Sequence, residues 1–205
     1  NFCNKIWNAA RYVMMNSEGK TVPESLSLEH CSVADRWIMS RFENAAKAIE
    51  EAMQHYRFDL VSQTLHEFIW NEYCDWYVEL SKPVLWDEEA NSEAAQATRW
   101  VLLSILEQSL RLLHPFMPFI TEEVWQKVAP LLGRNGGSIM IEDYPIIDRS
   151  KLDSEAEEHI EWIKGVIIAI RNIRGEMDVS PAKSIKAILR NGTSADQRKL
   201  EEYRH

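Results

Sequence analysis

Long apolar runs are missing from this sequence. The longest, Val166 to Ile170, has five residues, far short of the ~20 a membrane-spanning helix needs, so no membrane partner is expected. Cysteine is scarce. Cys3, Cys31 and Cys74 form no C-x-x-C pair, which excludes a disulfide framework and a zinc ribbon and points to a reducing, cytoplasmic setting. Glycine and proline are equally sparse, seven of each, which excludes collagenous and linker architectures. The opening NFCNKIWNAARY has neither the basic lead nor the apolar centre of a secretory signal. The chain starts on Asn1 and stops inside a helical pattern, QRKLEEYRH, so it reads as a piece of a longer protein.

What is present is globular. Apolar residues make up 45% and charged residues 27% of the 205, with a net charge of -9, a balance that excludes a disordered tail. A chain of this length buries roughly 70% of its unfolded surface without staples.

Helical period dominates. In residues 2–15, Phe2, Ile6, Ala9, Ala10, Val13 and Met14 fall on one side of the wheel and Asn1, Asn4, Lys5, Asn8 and Arg11 on the other. Gly19 and Pro23 mark a loop over 16–31. Ser32, with Asp35 in the first turn, caps a helix over about 32–57. Asp59 caps another over 60–81, closed by Pro83. Asn91 or Ser92 opens a helix that reaches His114, where Pro115 and Pro118 break it. Thr121 begins one that runs to Leu132. The GRNGG turn and a possible short strand in SIMIEDYP follow. Ser154 with Glu157 makes a capping box for a helix over 154–177, stopped by Pro181. SIKAILR alternates as a strand does, and Ser194 with Gln197 boxes a last helix. The expected fold is mainly α: an antiparallel helical bundle over 1–132, a connecting loop over 133–152, and a small α+β extension over 153–205.

Catalytic patterns fail on inspection. His66-Glu67 starts a zinc signature, but position 70 is Trp. Gly133, Gly136 and Gly137 precede no G-K-[ST], so there is no phosphate loop. The carboxylates Glu67, Glu72, Asp75 and Glu79 share a helix that carries no E-x-x-H pair, so they read as a solvated face rather than a di-iron site. Asn191-Gly-Thr is a sequon without meaning in a cytoplasmic chain. His114 suits a helix end. No catalytic residue and no metal ligand is assigned, and no cofactor is expected for this chain.

Charge is distributed unevenly. Residues 60–90 hold seven acids and one base, residues 1–15 hold Lys5 and Arg11 and no acid, and residues 164–191 hold six bases against two acids. Two basic stretches on an acidic body suit an oriented contact with a polyanion. On the first helix Tyr12 lies on the polar side near Lys5 and Asn8. It can stack an unstacked RNA base, or it can pack on a neighbouring helix. The aromatics between Phe68 and Tyr77 form a broad arc with Val61 and Leu65 and read as core. Glu72 falls inside that arc and needs a basic partner. Arg174 falls among Ile163, Ile170 and Ile173, which predicts a buried ion pair, with Glu72 the candidate by elimination, or a residue used by a partner.

Taken in order, NFCNKIWNAARYV, VADRW, FIWNEYCDWYVELSKPV, LRLLHPFMPFITEEVW and AIRNIRGEMDVSPAK resemble the C-terminal part of bacterial valyl-tRNA synthetases, which are class I aminoacyl-tRNA synthetases. The resemblance covers nearly the whole chain. It implies a helical anticodon-binding domain that follows a catalytic core and precedes a coiled-coil arm. The HIGH and KMSKS signatures, the editing domain and the arm are absent from this sequence. The chain is therefore expected to read tRNA rather than catalyse. Its parent would attach valine using ATP with magnesium, as a cytoplasmic monomer, with valine tRNA and the rest of the synthetase as partners. The resemblance places tRNA contacts at Lys5, Arg11 and Tyr12. Asn8 is added because an amide can bond adenine or cytosine edges, and valine anticodons share a middle A and a third-position C. Arg171 and Arg174 are added from charge. The rival reading is a non-enzymatic helical module that binds protein through its acidic face; RNA binding would differ from it in weakening steeply with salt.

Overall fold

The computed structural model describes residues 1–86, 92–180 and 182–203. The expected cap at Asn91 and stop at Pro181 lie outside the described residues. The chain divides into two units, Asn1–Ser154 and Glu155–His205, taken in turn.

In the first unit α1 is Phe2–Ser17, α2 Val33–Gln54, α3 Phe58–His66, α4 Val78–Leu85, α5 Glu93–Leu113 and α6 Pro118–Val128. A π-helical segment, Glu67–Tyr77, joins α3 to α4. Ser32 caps α2 as the sequence predicts, and the Asp35 carboxylate accepts the Ser32 N–H in return, which completes a capping box that was not expected. Ser92 caps α5 by accepting the Ala95 N–H at 3.2 Å. Helix α6 starts earlier than Thr121, because Pro118 sits at its first turn, where a missing N–H costs nothing. Helix α3 begins at Phe58 rather than after Asp59, which is held by Arg57 at 2.6 Å. Pro83 does not close its helix. It lies in the last turn of α4, where only one hydrogen bond is lost, and the chain stays helical to Leu85.

Helix α5 is the central post. It buries residues all around its circumference, from Ala95 through Leu113, as a helix surrounded by others must, and it packs against α1, α2, α4 and α6. The π segment changes which aromatics face the core. Its hydrogen bonds join residues five apart, and the buried residues follow that interval: Phe68, Tyr73 and Val78, and Ile69 with Cys74. Trp70 and Trp76, which an α wheel puts in the same arc, stay half-buried.

Polar groups inside this unit are paired across elements. Asp35 is fully buried and accepts from Tyr77 at 2.5 Å, Thr98 at 2.8 Å and the Ser32 hydroxyl at 2.8 Å. Glu107 accepts from Trp125 and Arg111, both at 2.9 Å. Glu72 is gripped by both Nε and Nη2 of Arg41, the latter at 2.7 Å. The segment after α6 is fastened to the helices: the Asp148 N–H donates to buried Glu43 at 2.7 Å, and Arg36 pairs with Asp153 at 2.8 Å. Gly136 is needed there, since a Cβ would lie 2.7 Å from the Trp125 ring.

The strand expected in SIMIEDYP is a 3-10 turn, Ile139–Ile141. The reason is local: Glu122 accepts both the Ser138 hydroxyl at 2.8 Å and the Ile139 N–H at 3.1 Å, taking the donor a ladder would use.

In the second unit α7 is Ser154–Glu176 and α8 Ser194–Glu202. Trp162 donates to Asp196 at 2.8 Å, and His159 meets the Tyr203 hydroxyl at 2.9 Å. The last capping box uses Thr193 and Asp196, one residue before the expected Ser194 and Gln197. SIKAILR forms no strand, and among the described residues there is none, so the α+β description of the extension does not hold. Alternation without an adjacent ladder partner leaves this segment irregular.

Candidate nucleic-acid interface

Helix α1 carries four of the six predicted contacts, and its burial pattern sorts them. Ile6, Ala9, Ala10 and Val13 are buried. They recur every three to four residues, so one side of the helix is committed to the bundle. The opposite side, Asn4, Trp7, Asn8, Arg11 and Met15, is exposed. Lys5 and Tyr12 lie on the edge between the two, toward the π segment and α4.

That edge is occupied. Lys5 forms an ion pair with Asp75, and its ammonium lies 5.1 Å from the centre of the Trp70 ring. The Tyr12 hydroxyl is 3.1 Å from the Ser81 hydroxyl, and Lys82 stands 5.9 Å over the Tyr12 ring. Burial, reinforced by nearby Glu79, raises the Tyr12 phenol above its usual pKa even though the Ser81 bond opposes it. Of the two readings left open for Tyr12, the geometry is that of an amphipathic tyrosine packed on a neighbouring helix. The exposed side is different. Among the described residues, the side chains of Asn4, Asn8 and Arg11 make no hydrogen bond or ion pair.

The helix is fixed along its length. Phe2 stacks with Trp70 at 6.1 Å and meets His66 at 5.1 Å. At the other end buried Arg99 donates to the Asn16 carbonyl at 3.0 Å, a cation at a helix C-terminus. Arg99 was not singled out from sequence. Its signal in the sequence is that it is the only charged residue between Glu93 and Glu107.

Arg171 and Arg174 belong to the second unit. Arg171 is exposed on α7. Glu72, the partner expected for Arg174, is held by Arg41. The two Nη groups of Arg174 donate to the carbonyls of Ser180 at 2.8 Å and Lys183 at 3.0 Å, folding the segment after α7 back on the helix. His114 meets the Thr121 hydroxyl at 2.7 Å, joining the end of α5 to α6. The described residues contain no cluster of potential metal ligands, and no helix among them is long and apolar enough to cross a membrane. The α1 surface thus offers amides, a guanidinium and an indole, which recognise base edges, phosphates and base faces.

Residues 35–189, well over half the chain, match the family model described as the anticodon-binding domain of tRNA ligase. The chain belongs to this family. Annotated relatives of the chain are valine–tRNA ligases: that of Acinetobacter baylyi is 48% identical over 98% of the chain, that of Coxiella burnetii 51% over 98%, and that of Legionella pneumophila strain Lens 45% over 99%. The chain spans only 21% to 22% of the length of these relatives. A solved LeuRS from Agrobacterium radiobacter K84, in a ternary complex with tRNA and LeuAMS, shares the fold with a TM-score of 0.51 at 16% identity, over 91% of this chain and 23% of its own.

Proposed function

We propose that this anticodon-binding domain reads the anticodon loop of valine tRNA as part of a valine–tRNA ligase. The catalytic part of that enzyme would lie elsewhere in the polypeptide and join valine to tRNA using ATP with magnesium, in the cytoplasm and as a monomer. The observation that carries the reading is the outward side of α1. It presents Asn4, Asn8 and Arg11, whose side chains are unpaired among the described residues, and residues 1–15 contain no acid to repel a phosphate. Asn8 and Arg11 are the direct contacts: the amide addresses a base edge and the guanidinium a phosphate or a guanine edge. Lys5 and Tyr12 border this surface and shape it, and either reaches RNA only by releasing Asp75 or Lys82. Arg171, and Arg174 through the turn it braces, add positive charge from a second stretch.

The reading is tested by titrating the chain with an anticodon stem–loop of valine tRNA and with loops substituted at the middle and third anticodon positions, over a range of salt. Tighter binding of the valine loop, with affinity falling steeply as salt rises, is expected. Equal affinity for all loops would remove the anticodon assignment, and salt-independent binding would remove the phosphate contacts.

A further inference from the structure

The π segment, Glu67–Tyr77, sorts its side chains by an interval of five. Phe68 and Tyr73 turn to the core: Phe68 meets Phe42 edge-on at 5.6 Å, and Tyr73 donates to the Leu102 carbonyl at 2.7 Å. Glu72 and Tyr77 turn to α2, where Glu72 accepts from Arg41 at 2.7 Å and Tyr77 donates to Asp35 at 2.5 Å. Trp70 and Asp75 form a third row, toward α1, and both take Lys5. Its ammonium pairs with Asp75 and lies 5.1 Å from the centre of the Trp70 ring. On an α-helix two residues five apart stand about 140° apart around the axis and could not share one ammonium. The π winding builds this clamp, and its other two rows fix it in place.

Farther along the same edge the arrangement recurs. Lys82 stands 5.9 Å over the Tyr12 ring and pairs with Glu79 at 2.6 Å. Each of these two lysines is thus neutralised by an acid from the acid-rich stretch of residues 60–90. Arg11, on the outward side of α1, makes no ion pair among the described residues.

We propose that Asp75, supported by Glu79, is a specificity-determining residue that withholds Lys5 from RNA phosphates and so confines RNA to the outward side of α1. This rests on the anticodon-loop reading and deepens it, by naming what keeps the surface from accepting any RNA. A phosphate contact carries no sequence information and strengthens every RNA. A free lysine beside a reading surface lets an unrelated strand slide until some phosphate meets it. A paired lysine offers that strand little, because the new contact costs an existing one. Lys5 then serves as a fastener between α1 and the π segment, and Asn8 and Arg11 are left to select. Two carboxylates of the stretch, which look from their spacing like a plain solvated face, acquire a role in this way.

The test measures the affinity of the 205-residue chain for an anticodon stem–loop of valine tRNA and for an unrelated oligouridine, over a range of salt. Wild type is expected to prefer the stem–loop. Asp75→Asn keeps the shape without the charge. It should tighten oligouridine binding about five- to tenfold at about 0.1 M salt, the counterion-release gain of one phosphate contact, and steepen the salt dependence by about one contact. The stem–loop should gain less, since Asn8 and Arg11 fix its register, so the preference falls. Glu79→Gln should act in the same direction by freeing Lys82. Combined with Lys5→Ala, Asp75→Asn should lose most of its effect, which separates withholding of Lys5 from a general loss of negative charge. Melting curves should stay near wild type, because a solvent-accessible pair contributes little to stability. If Asp75→Asn leaves oligouridine binding unchanged, tightens both RNAs equally, or acts as strongly without Lys5, the assignment of Asp75 is wrong, while a wild-type preference for the stem–loop keeps the anticodon-loop reading. If wild type shows no such preference, that reading fails with it.

Discussion

Asp35 and Asn8 lie on two helices of one bundle and have opposite surroundings. The Asp35 carboxylate is sealed from water and accepts from Ser32, Tyr77 and Thr98. The Asn8 amide is exposed and, among the described residues, bonded to nothing. The same contrast holds more widely. Glu43 and Glu107 are buried and partnered by loop and helix donors, whereas Asn4 and Arg11 face solvent without partners among the described residues. A buried polar group left unpaired costs more than a paired one contributes, so interior polar residues must be satisfied by the fold itself. An exposed one is under no such demand and stays available to a ligand. Polar residues of similar chemistry thus hold the bundle together in one region and equip it for RNA in the other.

That contrast breaks most visibly if an interior acceptor is removed. Glu107→Ala leaves the Trp125 N–H without its acceptor and Arg111 without its carboxylate, with only the Asp143 carbonyl still accepting from it, and is expected to cost ~3–5 kcal/mol, at ~2–4 °C of melting temperature per kcal/mol for a domain of this size. A loss under ~1 kcal/mol in a denaturant titration would mean that the interior pairing does not hold the fold.

Tyr12, on the boundary, sharpens the contrast. Tyr12→Phe removes only the bond to Ser81 and should cost ~0.5–1.5 kcal/mol. Tyr12→Ala also removes half-buried ring packing and should cost ~2–3 kcal/mol, with RNA affinity per folded molecule little changed. Normal stability combined with lost RNA binding would move Tyr12 to the functional side.

Asp35 adds a pH dependence. Burial raises its pKa from 3.8, although its hydrogen bonds oppose the shift. Between that ordinary value and the raised one, the folded state holds a proton that the unfolded state has released. The Asp35 contribution is therefore fully present below pH 3.8 and declines as pH climbs through the raised value. The stability difference between wild type and Asp35→Asn, followed from acid to neutral pH, should shift toward the variant. A pH-independent difference would show that Asp35 has the same pKa folded and unfolded.

How much of this was legible in the sequence depended on range. The Ser32 cap, with Asp35 in the first turn, spans three residues and was readable. That Asp35 also ties Tyr77 and Thr98 was not, because those partners are 42 and 63 positions away. Burial of the α1 stripe followed from its period, but the π segment broke the period on which the Trp70 and Trp76 assignments rested. Glu72 was correctly expected to need a base, and elimination named Arg174 where proximity supplied Arg41. The two strand readings failed because alternation describes a side-chain pattern, while a strand needs a partner for its backbone. Lys5, Asn8, Arg11 and Tyr12 shared a helix as expected; which of them were already engaged could be seen only after α4 and the π segment were packed beside them.

The outward side of α1 is assigned direct contact with the anticodon loop, and that contact can be mapped. Valine tRNA carrying a photoreactive base in its anticodon loop, crosslinked to the chain and mapped by mass spectrometry, should mark the segment from Asn4 to Arg11. Crosslinks confined to residues 164–190, or spread over the acidic stretch from Glu67 to Glu79, would contradict it.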